Sequence, residues 1–323
     1  KCAEGREDEL RYCISCMNCF NVNPFSYEQT NCSVNPFALR EGSKRPIVQD
    51  GDGRLVAVIG AGPAGMEAAV TLKQRGFDVV VFDKRDEIGG NLHVAKKPPF
   101  KGKFEWAIDY YKSMAKKLNI TMKLGKEVTA QEVLALKPYS ILVATGSNVI
   151  SIPLEGLDQV QTVQAHDVLV NDMQFANKKV VVIGGGITGL ETALYINRQG
   201  TNQVSVVDML PEWPVDMLDM RYQNEALLEV RHCNDQGVAL FYNNKVVKFA
   251  DGKLFIESTK DGEVKELPAD VIVLSVGVKP NDALWQELLA SGHPSVWKAG
   301  DAIATGEINK AVLHGSKFGY SLS

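Results

Sequence analysis

Arg54-Leu55-Val56-Ala57-Val58-Ile59-Gly60-Ala61-Gly62-Pro63-Ala64-Gly65 is the stretch that decides the fold. A short apolar run enters a glycine-rich turn, and a helix-type stretch from Met66 to Arg75 leaves it and closes at Gly76. A run without polar alternation reads as a strand buried on both faces, as in a parallel sheet covered by helices. Within the G-x-G-x-x-G turn, Gly60 permits the tight bend and Gly62 lets the backbone approach a pyrophosphate. Gly65 then allows close packing of helix on strand. The free N–H groups and dipole of the helix N-terminus suit phosphate. The next strand, Asp78 to Phe82, ends at Asp83, where a carboxylate can accept from ribose hydroxyls. One such turn alone is weak evidence; strand, helix and acid in register make it specific for a dinucleotide.

The same grammar returns later. Lys179 to Ile183 is a strand, Gly184-Gly185-Gly186-Ile187-Thr188-Gly189 the turn, Leu190 to Gln199 a helix ending at Gly200, and Val204 to Val207 a strand ending at Asp208. An acid at 208 accepts from a 2′-hydroxyl and repels a 2′-phosphate. No Arg stands there or just after, so NADH is expected rather than NADPH. Ser140 to Gly146 and Val271 to Gly277 are parallel buried strands with a glycine exit, and Trp106 to Leu118 reads as an amphipathic helix. Two units with one internal order predict duplicated, doubly wound α/β domains.

Composition is that of a globular chain: 45% hydrophobic and 23% charged, with a net charge of −4. That charge gives no case for nucleic acid or an anionic membrane. No apolar run reaches the ~20 residues a membrane helix needs. The start, Lys1-Cys2-Ala3-Glu4-Gly5-Arg6, is polar and does not read as a signal peptide, which leads to a cytoplasmic expectation. It lacks a Met, as a piece of a longer protein would. Of six cysteines, Cys13, Cys16, Cys19 and Cys32 cluster as C-x2-C-x2-C-x12-C, while Cys2 and Cys233 stand apart. Three close thiolates with a remote fourth suit a [4Fe–4S] cubane better than zinc, which is typically held by two separated pairs; free thiols are the third alternative. Residues 1–53, rich in Cys, Asn and Pro, read as an irregular segment around such a cluster, with turn chemistry at Asn21-Val22-Asn23-Pro24-Phe25 and Asn35-Pro36-Phe37.

Gly300-Asp301, Glu87-Ile88-Gly89-Gly90-Asn91-Leu92, Ala144-Thr145-Gly146 and Ser275-Val276-Gly277 complete the pattern. Over roughly residues 54–323 the chain resembles the two-domain flavoproteins of the pyridine nucleotide–disulfide oxidoreductase group, of glutathione-reductase type. The resemblance implies an FAD domain over 54–150 and 280–323, with an NAD(H) domain inserted at 151–279. It assigns to FAD the loop Gly60, Ala61, Gly62, Pro63, Ala64 and Gly65, then Asp83 with Lys84, the segment Gly90, Asn91 and Leu92, and Val128. It adds Ala144, Thr145 and Gly146, with Gly300 and Asp301 on the ribityl chain and Lys310 and Ala311 on the helix facing the flavin's pyrimidine edge. Gly184, Gly186, Ile187, Thr188, Gly189, Asp208 and Gly277 go to NADH. The group's disulfide branches place a Cys pair beside the flavin. None follows Gly89-Gly90 here, and Cys233 reads as a buried structural cysteine.

The cysteine spacing followed by Ser33-Val34-Asn35-Pro36 resembles the family of 2,4-dienoyl-CoA reductases, 2-enoate reductases and trimethylamine dehydrogenase. That family implies an N-terminal (β/α)8 barrel carrying FMN, which these 323 residues lack and which would belong to a longer form of the same protein or to a separate subunit, and it places the substrate site there. A hydride carries two electrons and a cluster takes one at a time, so a flavin must stand between them. The implied order is NADH to FAD to cluster to FMN, ending in reduction of an enoate or enone, and no catalytic acid or base is expected in this chain. The alternative reverses the flow, as in trimethylamine dehydrogenase, with ADP in the first site and a vestigial second one. The two-residue gap between the second and third cysteines favours it, whereas Asp208 and Gly300-Asp301 oppose it. A module that binds cofactors and partner without turnover is the third class. The five histidines have no ligand spacing, Trp213 reads as loop packing, and Lys96-Lys97 with Lys101 and Lys103 form a basic surface patch. A homo-oligomer is left open.

Overall fold

The computed structural model describes residues 1–19, 31–38, 42, 46–211 and 220–323, with side chains in the last stretch from residue 225 onward. The turn around Pro24 and Trp213 lie outside the described residues.

The first unit runs β1 (Leu55–Ile59), α1 (Pro63–Gln74), β2 (Asp78–Phe82), α2 (Leu92–Ala95), α3 (Glu105–Lys117), β3 (Thr121–Lys123), α4 (Ala130–Ala135) and β4 (Ser140–Val143). After β5 (Ser147–Val149) come β6 (Gln161–Gln164), α5 (Ala165–Val170), β7 (Lys179–Ile183), α6 (Ile187–Asn197), β8 (Gln203–Val207), α7 (Met220–Asp235) and β9 (Ala239–Phe241). Then follow β10 (Asn244–Ala250), β11 (Lys253–Ser258), β12 (Val264–Pro268) and β13 (Val271–Leu274). The chain closes with β14 (Val278–Pro280), α8 (Ala283–Ala290), β15 (Val296–Lys298) and α9 (Ile308–Ser321).

Two five-stranded parallel sheets result, ordered β15-β4-β1-β2-β3 and β6-β13-β7-β8-β9. β1 and β7 occupy matching places, each the middle strand of its sheet and each leading through its own Gly-turn into a helix. The valine runs explain this. Val56 and Val58 pack with Met66, Leu72, Tyr111 and Phe318 on one face, and Ala57 and Ile59 with Val133, Ile141 and Leu288 on the other. Strands buried on both sides need apolar residues at every position.

The chain leaves the first sheet after β4 and returns to it at β15, where Val296 to Lys298 pair with Ile141 to Val143. The outgoing and returning segments pair as β5 and β14, antiparallel, with Val278 opposite Val149 and Pro280 opposite Ser147. β10, β11 and β12 form an antiparallel meander that periodicity did not pick out. Both Gly-turn helices begin three residues before the sequence-based starts at Met66 and Leu190, because the second half of each glycine motif is already the first helical turn. Among the described residues no helix is long and apolar enough to cross a membrane.

Candidate functional site

The two glycine turns are built alike. Gly60 has φ +113° and Gly184 φ +107°, left-handed conformations, and a Cβ on either would collide with the carbonyl of the neighbouring strand's exit, Ala144 or Ser275. Each turn is also pinned by its acid. Asp83 accepts the Ala61 N–H at 2.6 Å on one oxygen and the Arg85 N–H at 2.8 Å on the other. Asp208 accepts from Gly185 at 2.6 Å and Leu210 at 2.8 Å in the same way. Sequence reasoning gave these carboxylates a ribose role alone. The fold also uses them to hold the turn's shape, and each oxygen keeps a further lone pair for a hydroxyl.

The helices that follow are left uncapped. α1 starts at Pro63 and α6 at Ile187, with no side-chain cap and no acid in either first turn. α4 shows what the chain does when nothing else is due there: Thr129 and Glu132 close a full capping box. The first intrahelical bonds of α1 and α6 come from Met66 and Leu190, so the N–H groups of Ala64 and Gly65, and of Ile187, Thr188 and Gly189, have no intrahelical partner.

The turns differ in what covers them. Gly90 folds over Gly62 so closely that a Cβ on Gly90 would stand 2.8 Å from the Gly62 Cα. The Gly89 N–H donates to the Ala61 carbonyl at 2.9 Å, Arg85 donates to the Gly90 carbonyl at 2.8 Å, and Leu92 is buried while Asn91 is exposed. Nothing described comes within 4 Å of a Cβ placed on Gly186.

The returning chain completes the first site. Gly300 sits against Ala64 and Ala311. Half-buried Asp301 accepts from Ser147 Oγ at 3.3 Å and the Gly306 N–H at 3.2 Å, and burial raises its carboxyl above the ordinary aspartate value. α9 begins without a side-chain cap, and a buried Glu307 oxygen at its start has no hydrogen-bond partner. Lys310 is exposed in its first turn. Thr145 Oγ1 donates to the Asn281 carbonyl at 2.5 Å and Gly146 accepts from the Asn281 N–H, which locks the junction; Gly277 accepts from Ile150 on the other strand. Val128 is a core residue beside Phe82 and Val143. Exposed Lys84 lines a cleft of about 470 Å³ with Arg85, Glu87, His93, Lys96 and Lys97.

The basic patch turns out to be paired rather than free. Lys96 meets Glu105 at 2.5 Å, Lys97 meets Asp172 at 2.5 Å across the two units, and Lys103 lies over Trp106. Lys101 pairs with Glu191 on α6 and, at 2.7 Å, with Glu225 on α7. Burial works to lower the Lys101 ammonium, but these two carboxylates leave it raised. Burial pushes the Glu191 carboxyl up to about 7, against the pull of Lys101. His166 receives Arg85 across the same boundary at 2.9 Å, and burial followed by that guanidinium keeps it below its ordinary value.

None of the six cysteines is in a disulfide. Cys233 is fully buried and pushed up to about 12, which fits a structural residue. Cys13 and Cys19 are exposed; Cys16 and Cys32 are half-buried against the apolar cluster of Ile14, Val34, Leu92, Phe104, Ala107 and Ile108, on which Ile308 also packs. Burial raises the Cys19 thiol, with Cys32, Cys16 and Cys13 adding to the shift, so the four feel one another. Ser15 and Met17, between them, both have φ +56°, uncommon for residues other than glycine. An all-cysteine donor set fits a cluster chemically, although among the described residues no three Cys, His, Asp or Glu side chains converge as metal ligands. Sequence reasoning missed Arg11, which donates to Glu67 on α1 at 2.7 and 2.9 Å and to the Val34 carbonyl at 2.7 Å.

A model of the pyridine nucleotide-disulphide oxidoreductase family matches residues 54–313. The chain belongs to that family. Membership places it among oxidoreductases that bind FAD and a nicotinamide dinucleotide. It is 32% identical over 331 residues to a protein named NADH oxidase of Thermoanaerobacter brockii, covering 100% of this chain and 49% of that protein. It is 32% identical over 312 residues to a bilirubin reductase of Mediterraneibacter gnavus, covering 97% and 47%. The solved structure of a 2-naphthoyl-CoA reductase with 2-naphthoyl-CoA superposes with a TM-score of 0.90 at 29% identity, covering 100% of this chain and 48% of that one. The chain thus spans about half the length of the curated relatives it matches.

Proposed function

We propose that this chain accepts hydride from NADH onto FAD and passes the electrons through a [4Fe–4S] cluster to FMN in a barrel domain or subunit, where an enoate or enone is reduced. The observation that carries this reading is that Cys16 and Cys32 pack on the apolar cluster that contains Leu92 and that also carries Ile308. These residues belong to the loop over the first glycine turn and to the start of α9, so the thiols lie beside the FAD cradle. Bound FAD supplies the step between two-electron and one-electron transfer.

The chain's own residues hold and orient. The uncapped starts of α1 and α6 present N–H groups to the two pyrophosphates, and Asp83 and Asp208 keep the turns in shape while accepting from ribose. Asp301, fixed by Ser147 and Gly306, would accept from the ribityl chain. Asp208, with Met209 and Leu210 after it, favours NADH over its 2′-phosphate. The substrate site, and any acid or base, belongs to the barrel.

The test is anaerobic titration of full-length protein with NADH, following flavin and cluster absorbance. Both are expected to bleach; bound flavin that stays oxidised refutes the reading. The cysteine spacing favours a second reading, in which ADP fills the first site and electrons arrive from the barrel. Extracting ADP without flavin from purified protein selects it.

A further inference from the structure

We infer that Phe100 and Lys101 are positioning residues: they clasp the second unit to the first and hold the second glycine turn in register with the flavin cradle. This rests on the step proposed above, in which NADH gives two electrons to FAD as hydride and leaves as NAD⁺. Among the described residues the two units share no apolar core. The buried clusters around β1, β2 and β4 draw only on residues outside 151–279, and those around β7, β8 and β13 only on residues inside it. Besides the β5–β14 pair and the Arg85–His166 contact, the segment Lys97-Pro98-Pro99-Phe100-Lys101 reaches across. Lys97 meets Asp172 at 2.5 Å. The Phe100 ring lies under the Arg198 guanidinium, 4.5 Å from the ring centroid, and beside the His232 ring at 5.7 Å. Lys101 pairs with Glu191 on α6 and, at 2.7 Å, with Glu225 on α7.

Phe100 is the residue that the first unit's own packing does not explain. Its φ is +69°, a left-handed backbone that costs energy in a residue with a Cβ, and its side chain is 77% exposed, so burial does not offset that cost. Strain of this kind persists only where the surroundings fix the residue. Both ring contacts it makes among the described residues are on the second unit, and a guanidinium is attracted to a phenyl face. The next residue, Lys101, reaches Glu191, which is buried on α6 two residues past Gly189. α6 is the helix whose uncapped start is offered to the nicotinamide dinucleotide, so a cation from the first unit fixes that start. The other end of the segment is tied as well: it runs back to Gly90, which closes over Gly62 in the first turn. One short stretch of chain therefore links the two glycine turns. Reacting groups must be held closely, because a misplacement of about 1 Å can cost about 100-fold in rate.

The experiment is anaerobic stopped-flow reduction of bound flavin by NADH in full-length, cofactor-loaded protein, comparing wild type with Lys101→Met, Lys101→Arg and Phe100→Asn at matched flavin content. Asn tolerates the left-handed backbone, so Phe100→Asn removes the ring and keeps the bend. Lys101→Met is expected to lower the limiting rate about 10- to 100-fold with the NADH Kd unchanged, because position is lost and binding is not. Phe100→Asn is expected to lower it by less, and Lys101→Arg, which keeps the charge, to restore most of it. Hydrogen exchange without NADH gives a second reading. The Lys101 and Phe104 amides, bonded to the Pro98 and Lys101 carbonyls, should exchange faster in Lys101→Met, while those of β1 and β7 stay as in wild type. If Lys101→Met does not hold flavin, Phe100→Asn carries the comparison. Limiting rates equal to wild type in both variants overturn the inference and leave the NADH-to-FAD step intact, as does a rate lost only in step with NADH affinity. Wild-type flavin that NADH does not reduce removes the proposed step itself, and the inference with it.

Discussion

Replacing Glu67 by Gln tests whether the cysteine segment is built into the nucleotide-binding unit or merely rests on it. Glu67 lies on α1, two residues past the glycine motif, and is 1% exposed. Its oxygens receive both branches of Arg11 at 2.7 and 2.9 Å, and the Tyr111 hydroxyl at 3.1 Å. Burial decides the regime. An exposed pair of this kind contributes about 0–1 kcal/mol. Breaking a buried one strands a desolvated charge and costs about 3–5 kcal/mol. A guanidinium does not give up its proton in a protein, so Arg11 stays charged in Glu67→Gln although burial opposes the charge. The expected fall in melting temperature is about 10 °C.

The paired change Arg11→Met with Glu67→Leu removes both charges. It strands only the Tyr111 hydroxyl and the Val34 carbonyl, at about 1 kcal/mol each, so the double variant should lie within about 2 kcal/mol of wild type. Arg11 also bonds Val34 next to Ser33, so the single change should loosen the segment and speed alkylation of half-buried Cys16. Thermal denaturation and timed thiol labelling read the two effects. A Glu67→Gln protein within about 1 kcal/mol of wild type, with unchanged labelling, would refute the reasoning.

Asp208→Asn removes charge from two backbone hydrogen bonds, each worth about 1.5–3 kcal/mol as a charge-assisted bond; NADH binding, followed by fluorescence, should weaken roughly 10- to 100-fold, and an unchanged Kd would count against Asp208 as the turn's anchor. Gly90→Ala places a Cβ 2.8 Å from the Gly62 Cα at a residue with φ +54°, so purified protein should lose flavin while the second turn still binds NADH; full flavin content would dismiss Gly90 as part of the cradle. Glu191 stands at about 7 in the folded chain against an ordinary 4.5, so the folded state keeps a proton that the unfolded state releases. Stability should therefore fall as pH rises from about 4.5 to 7, by about 3 kcal/mol at 1.36 kcal/mol per unit. Glu191→Gln should flatten that part of the urea midpoint curve, and a slope equal to wild type would rule the group out.

The features legible in the sequence were those written in contiguous residues. Unbroken valine runs gave β1, β2 and β7 because a strand buried on both faces has no polar positions. The starts of α1 and α6 were misplaced although Pro63, a residue favoured at the first helical position, marked the first of them. The β10–β11 hairpin carried a signal that went unread: Asp251-Gly252, both with positive φ, is the dipeptide a tight hairpin turn prefers. Other features could not be read locally. Arg11 meets Glu67, and Asn309 meets Asn18 and Asn31, only because the fold brings distant segments together, and polar residues of this kind look like surface when read singly. The second role of Asp83 and Asp208 was hidden for another reason. Position alone shows that an acid ends the strand, but not that the turn's own N–H groups reach it first.

The duplicated units diverge where function needs them to. Each keeps the same glycine turn, the same acid pinned to it and the same uncapped helix, so the phosphate-binding apparatus is common to both. The first turn is then enclosed, by Gly90 from one side and by Gly300 and the start of α9, brought back by β15, from the other. The second has no such cover among the described residues. A cradle closed by segments far apart in the chain cannot release its occupant without moving several elements, whereas an open turn can. Under the proposed reading this asymmetry matches the chemistry: FAD must remain through every cycle, while NADH must arrive and NAD⁺ must leave. The cysteine segment docks on the enclosed side, through Arg11 to Glu67 on α1 and through Asn309 on α9, where the proposed reading would hold the flavin.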